Sequence, residues 1–319
     1  MIHLSEKNVV ICDREIRYAN GLGENIAERE DLAVKVYVCS SFEHVLELEQ
    51  AKKIHIFIVD EEITYAQRTQ IGANQVFVLA RGRVADLGEE EWAIGKYQCA
   101  DEIIRQVFEF YVDRTKENVM RCMNKKRARL FAVYSPIHRI GKTSFAMALG
   151  RAGAKSKKVL YLNLEEYAGM DIAQNADLNL GDLLYYLRQG NGNLGIRLQS
   201  AVKENEGLDM VTPIPIVLDL KEVTWEEWEA LITELVENSL YEMVVLDVGE
   251  SVQGLFPLLE MCDRVYMPVL EDEISRRKLK QYQDNVEQLK LEKLKRITYQ
   301  FVMPQNPERL ARIQMKEEC

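Results

Sequence analysis

Apolar residues recur along this chain in short unbroken runs, most of them closed by a polar residue and followed by a stretch with helical periodicity. Residues 8–12 stop at Asp13, residues 34–39 are β-branched and aromatic, residues 54–59 stop at Asp60, and residues 76–79 form a fourth run. Runs without polar alternation are what parallel strands covered on both faces require. Residues 95–98 are expected to add a short fifth strand. Residues 18–29, 42–49 and 101–112 carry helical spacing. Gly21 and Gly23 weaken the start of the first helix, and Ser40 or Ser41 is the N-cap of the second. Five strands interleaved with helices predict a doubly wound α/β domain over residues 1–115.

The alternation resumes after a basic stretch, residues 116–129. Its run Asn124-Lys125-Lys126-Arg127-Ala128-Arg129 could meet DNA, anionic lipid or an acidic partner, but reads best as a solvated linker. Beyond it, strands are expected at 130–135, 157–166, 208–211, 243–247, 265–270 and 297–303. Helices are expected after Gly141, at 182–188, from Thr224 to about residue 238, and as one long helix over 274–295. Thr224-Trp225-Glu226-Glu227 is a capping box, and Trp225, Trp228, Leu231, Ile232 and Leu235 form a core stripe behind it. Residues 309–316 are expected to give a turn or two of helix on a frayed tail. The whole therefore reads as α/β, with two doubly wound parallel-sheet domains: 1–115, and 130–319 after the linker.

Composition narrows the class. The chain has 319 residues and a formal net charge of −10, which argues against a surface that coats nucleic acid throughout. No apolar run reaches the roughly 18 residues of a membrane span, and the N-terminus lacks the basic-then-apolar plan of a signal peptide. Cysteines 12, 39, 99, 122, 262 and 319 are scattered without a CxxC pair and read as buried thiols in a reducing cytoplasm.

The candidate chemistry lies in residues 130–150, LFAVYSPIHRIGKTSFAMALG. A strand, a tight turn and a helix opened by Gly141-Lys142-Thr143-Ser144 is the order a phosphate-binding loop needs. Backbone N–H groups of Arg139, Ile140, Gly141, Lys142, Thr143 and Ser144 would face phosphates, Lys142 would reach the β/γ-phosphates of ATP, and Thr143 would hold Mg²⁺. Pro136 stands where the pattern has its first Gly, and it offers no N–H. Asp247, closing the strand 243–247, is placed to join Thr143 on Mg²⁺.

Two resemblances follow from these motifs. The first domain resembles a response-regulator receiver, a flavodoxin-like fold. Asp60 falls at the phospho-acceptor position, Asp13 among the acidic residues and Lys96 at the Lys position. Arg14 and Ala80 replace an acid and a hydroxyl residue, so the resemblance implies a degenerate receiver used for contacts. The second domain resembles the MinD/ParA P-loop ATPases, and the two together look like the TadZ/CpaE branch. Pro136-Ile137-His138-Arg139-Ile140-Gly141-Lys142-Thr143 departs from that family's turn: Ile137 stands for the signature Lys, with Arg139 as its possible substitute. Asn163 and Glu165 stand for two Asp residues that organise Mg²⁺ and the attacking water.

This likeness implies an ATP- and Mg²⁺-binding protein that hydrolyses slowly or not at all. It implies a homodimer that localises or helps assemble Tad-type pilus or secretion machinery. The likeness implies a cytoplasmic protein, free or held peripherally at the inner membrane face or the cell pole. The rival readings are a ParA-like partition ATPase, which would bind DNA through basic residues of the helix 274–295, and a nucleotide-free adaptor with a relic loop.

Overall fold

A computed structural model describes residues 6–29, 32–82, 86–115, 117, 119, 127–169, 178–189, 194–303 and 306–318. The chain divides into two compact units, 1–121 with 191–196, and 122–190 with 197–319.

The first unit runs β1 (Lys7–Cys12), α1 (Ile16–Glu28), β2 (Val34–Cys39), α2 (Phe42–Ala51), β3 (Ile56–Asp60), α3 (Tyr65–Arg68), β4 (Gln75–Ala80), β5 (Glu91–Gly95) and α4 (Ala100–Thr115). Its sheet is parallel throughout, in the order β2-β1-β3-β4-β5. Alternate residues of one strand serve two cores. Ile56 and Ile58 pack with α1 and α4, while Phe57 and Val59 pack with α2. That double duty is why β3 reads as an unbroken apolar run. The strand order reverses between β1 and β3, so a crevice opens at their carboxyl ends, where Asp13 and Asp60 lie.

Two details differ from the sequence expectation. The fifth strand is Glu91–Gly95 rather than 95–98, and Lys96 follows it. Of that strand only Ile94 is buried, so its apolar signature is weak. Among the described residues no helix joins β4 to β5. Instead Arg68, with a wholly buried side chain, makes a two-pronged ion pair with Glu91 (2.8 and 2.7 Å) and donates to the carbonyl of Asp86. This contact holds the connecting segment against α3.

The second unit comprises β6 (Arg129–Val133), α5 (Lys142–Ala154), β7 (Val159–Leu164), α6 (Leu180–Arg188), α7 (Leu194–Ala201), β8 (Val202–Asn205), β9 (Leu208–Val211), α8 (Val217–Glu222), α9 (Trp225–Asn238), β10 (Met243–Val248), α10 (Leu255–Met261), β11 (Arg264–Val269), α11 (Glu273–Gln288), α12 (Glu292–Ile297), β12 (Thr298–Val302) and α13 (Pro307–Glu318). The sheet order is β12-β11-β6-β10-β7-β9-β8, parallel except for the β8–β9 pair. That antiparallel edge is a hairpin closed by Glu206 and Gly207 at φ 53° and 80°, the positive values a tight two-residue turn requires. The central strands β6, β7 and β10 are nearly wholly buried, and their ends define the candidate site.

Two expectations here also need correction. The long helix over 274–295 is two helices, broken where Lys290 adopts φ 57°. The C-terminal stretch is not a frayed tail: α13 packs along α5, with Ala311 and Met315 buried in the same core as Phe145 and Leu149. Burying a Met side chain contributes about 1.5–3 kcal/mol, which stabilises a helix too short to persist alone. The Thr224 capping box is present, with Thr224 N–H donating to Glu227 at 2.9 Å.

Residues 124–126 of the basic run lie outside the described residues. Arg127 pairs with Asp263 at 3.5 Å. Cys12, Cys39 and Cys262 are buried as expected, whereas Cys99 is exposed.

Candidate functional site

The turn between β6 and α5 is pinned from below. The Ser135 hydroxyl donates to the Pro268 carbonyl of β11 at 2.8 Å and accepts the Ile137 N–H at 3.1 Å. Ile137 and Ile140 are buried and anchor the turn. Arg139 and Gly141 have φ values of 59° and 80°, so the backbone doubles back twice before the helix begins. Glycine accepts that geometry without cost, and arginine pays for it in strain. Gly141 occupies the N-cap of α5 and brings no side chain to its first N–H groups. Those donors and the positive helix end are what an anion at this turn would meet. Arg139 and Ser144 are exposed.

Lys142, in the first turn of α5, extends to the carboxyl ends of two neighbouring strands. Its ammonium donates to the Val248 carbonyl at the end of β10 at 2.6 Å and pairs with the Glu165 carboxylate just after β7. The approach is tight: Gly249 N–H donates to the Leu164 carbonyl, and a Cβ on Gly249 would stand 2.8 Å from that oxygen. Burial raises the Glu165 pKa, with Lys142 acting in the opposite direction.

Asp247 is fully buried. Its Oδ2 accepts from the Tyr161 hydroxyl at 3.1 Å, while its Oδ1 has no hydrogen-bond partner. Burial raises its pKa, and Thr143, Lys142 and Tyr161 pull the other way. The Thr143 hydroxyl thus lies close to the carboxylate without bonding the orphaned oxygen. A buried carboxyl oxygen beside a hydroxyl, with no soft ligand, is the donor chemistry a hard cation such as Mg²⁺ takes. Asn163 is committed elsewhere: it donates to Tyr161 at 3.2 Å and accepts from the Glu165 N–H at 2.9 Å. Its amide shapes the end of β7.

In the first unit the structure brings Asp13, Asp60 and Lys96 together. The Lys96 ammonium lies 2.7 Å from Asp13, 2.6 Å from Asp60 and 2.9 Å from Glu15. Arg81 adds contacts to Asp60 at 3.3 Å and Glu15 at 3.0 Å. Burial opposes charge on Asp60, but Lys96 and the Glu62 N–H outweigh it and lower the pKa. Hydrogen bonds from Tyr97, Lys96 and Arg81 hold Glu15 down to about 2. Burial raises Asp13 despite its lysine. Arg14 points away, to Glu62 at 2.7 Å.

Sequence reasoning missed Glu15 and Arg81. The available signals were an acid two positions past Asp13 and a base directly after Ala80, where β4 ends.

The second unit is thus an α/β unit, parallel but for one edge pair, with a tightly reversed turn between β6 and the helix that follows. No family model matches the chain, and no curated protein matches it. Among solved structures it is similar to a ParA family ATPase from Chlorobium tepidum TLS, at 18% identity and TM-score 0.43, over 50% of this chain and 68% of that one. It is similar also to a plasmid partition protein from Borrelia burgdorferi, at 18% identity and TM-score 0.43, over 60% and 86%. A third likeness is to the MinC:MinD cell division protein complex of Aquifex aeolicus, at 18% identity and TM-score 0.41, over 55% and 68%. At these TM-scores the likenesses carry no argument about chemistry, which rests on the residues above.

Proposed function

We propose that the second unit binds ATP with Mg²⁺ and that the chain works as a nucleotide-dependent localisation or assembly factor of MinD/ParA type. The carrying observation is the buried Asp247 oxygen without a hydrogen-bond partner. It lies beside Thr143, on the helix whose first turn also supplies Lys142. Arg139 to Ser144 are the turn residues that would receive the phosphates. Slow or absent hydrolysis belongs to this reading. Water must be positioned for the chemistry, and Asn163 is occupied in fixing β7 while Glu165 is engaged with Lys142. Arg139, exposed on the turn, is a further cation that could meet the transferring phosphoryl group.

The first unit supports a TadZ/CpaE-like assignment through its strand order and through Asp13, Asp60 and Lys96 at the strand ends. Its internal cations, and a β4–β5 connection without a helix among the described residues, favour a degenerate, contact-making receiver over a phosphotransfer site. Partners in a Tad-type pilus or secretion assembly, and an ATP-dependent homodimer, complete the proposal. Attachment at the membrane face would be peripheral, since no described helix is long and apolar enough to cross. Light scattering of the full chain with and without a non-hydrolysable Mg-ATP analogue tests the scaffold role. A mass that doubles with nucleotide supports it, and a mass indifferent to nucleotide removes the dimer from the account.

A further inference from the structure

The side-chain contacts of Lys142 carry an inference that rests on the nucleotide reading above and deepens it. An ammonium has three N–H donors and no acceptor. In this chain it is already held by the Val248 carbonyl at 2.6 Å and by the Glu165 carboxylate. Both side chains are largely shielded, at 11% and 17% exposure, so the pair is stronger than a surface ion pair. Glu165 is also fixed from behind. Its N–H is taken by Asn163, and the preceding Leu164 carbonyl abuts Gly249. Asp247 and Glu166 add negative charge around it. Two of the ammonium's three donors are thus engaged, so phosphates that recruit Lys142 draw it from Glu165 and leave that carboxylate less neutralised in an acidic neighbourhood.

We infer that Glu165 competes with the nucleotide phosphates for Lys142 and so sets the affinity of the site. It is a positioning residue that acts through the lysine. The competition is specific to phosphate, because a ligand without phosphates does not need Lys142. Replacing the carboxylate by an amide of the same shape keeps an acceptor for the ammonium but removes the competing charge.

The test is calorimetric titration of the full chain and of Glu165→Gln with Mg-ATP and, separately, with adenosine. Glu165→Gln is expected to bind Mg-ATP about tenfold more tightly, the equivalent of one charge-assisted contact. Adenosine affinity is expected to be unchanged. Circular dichroism checks that the variant folds, and Glu165→Ala provides a second charge-free version. Equal Mg-ATP affinity in the parent and both variants overturns this inference while leaving the nucleotide reading in place. Adenosine affinity rising in step with Mg-ATP also overturns it, because the effect would then be structural. No binding of Mg-ATP by any of the three at millimolar concentration overturns the nucleotide reading itself, and the competition with it.

Discussion

Lys96 and Lys142 are two versions of one arrangement, a lysine held among carboxylates at the carboxyl ends of parallel strands. Lys96 is wholly buried and touches three acids, with Arg81 closing over two of them. Lys142 has one acid and one carbonyl, and the neighbouring Asp247 keeps an oxygen with no hydrogen-bond partner. In the first cluster three carboxylates share two cations, Lys96 and Arg81, inside the protein. In the second a carboxyl oxygen without a hydrogen-bond partner and the N-terminal end of α5 remain for a ligand to meet. A closed cluster stabilises the fold, and an incomplete one is suited to a ligand.

The comparison breaks most readily at Lys96. Lys96→Met would leave Asp13, Glu15 and Asp60 together without their central cation, and loss of one partner of a buried pair costs about 3–5 kcal/mol. Denaturant unfolding at pH 7 measures that loss. The sign of its pH dependence follows from Asp60. Its lowered pKa contributes stability above the unfolded value of about 3.9, and this is lost as pH falls through the folded value. Asp13, raised by burial, works in the other direction. Without Lys96 burial dominates at both, so the variant's deficit should narrow between pH 7 and pH 4. A deficit that widened on acidification would contradict the role of Lys96 as the cation that holds these carboxylates together.

A smaller effect is expected at Gly249. A Cβ there meets the Leu164 carbonyl at 2.8 Å and the Glu165 Cα at 3.1 Å, and backbone does not give way cheaply. Gly249→Ala should lower stability by about 1–3 kcal/mol and disturb the Lys142–Glu165 pair. An unchanged unfolding midpoint would mean that the two strand ends are looser than described. The smallest effect belongs to Arg81→Ala. Its guanidinium is 38% exposed, so the unfolding midpoint should move little, and by less at high salt. A shift as large as that of Lys96→Met would show that Arg81, not Lys96, closes the cluster.

Much of this was legible in the sequence because burial on both faces leaves unbroken apolar runs. Residues 8–12, 54–59 and 243–247 announce central strands, and each has an acid at its carboxyl end. The Gly141-Lys142-Thr143 turn was legible for the same reason, since it joins such a run to a helix. Less visible were features decided by tertiary contacts. β5 has one buried residue and is held through Glu91 by the distant Arg68. The break at Lys290 uses neither Gly nor Pro. Glu15 and Arg81 reach the first cluster with long side chains from exposed positions, and the pairing of Glu165 with Lys142 depends on the register of β7 beside β10.

The central claim is that Lys142, Thr143 and Asp247 form a working Mg-ATP site. Calorimetric titration of the full chain and of Lys142→Ala with Mg-ATP tests it most directly. The account predicts one site per chain in the parent protein and at least about a hundredfold weaker binding in the variant, the scale of a lost charged contact to phosphate. Equal binding by both proteins, or none by the parent at millimolar Mg-ATP, would contradict it.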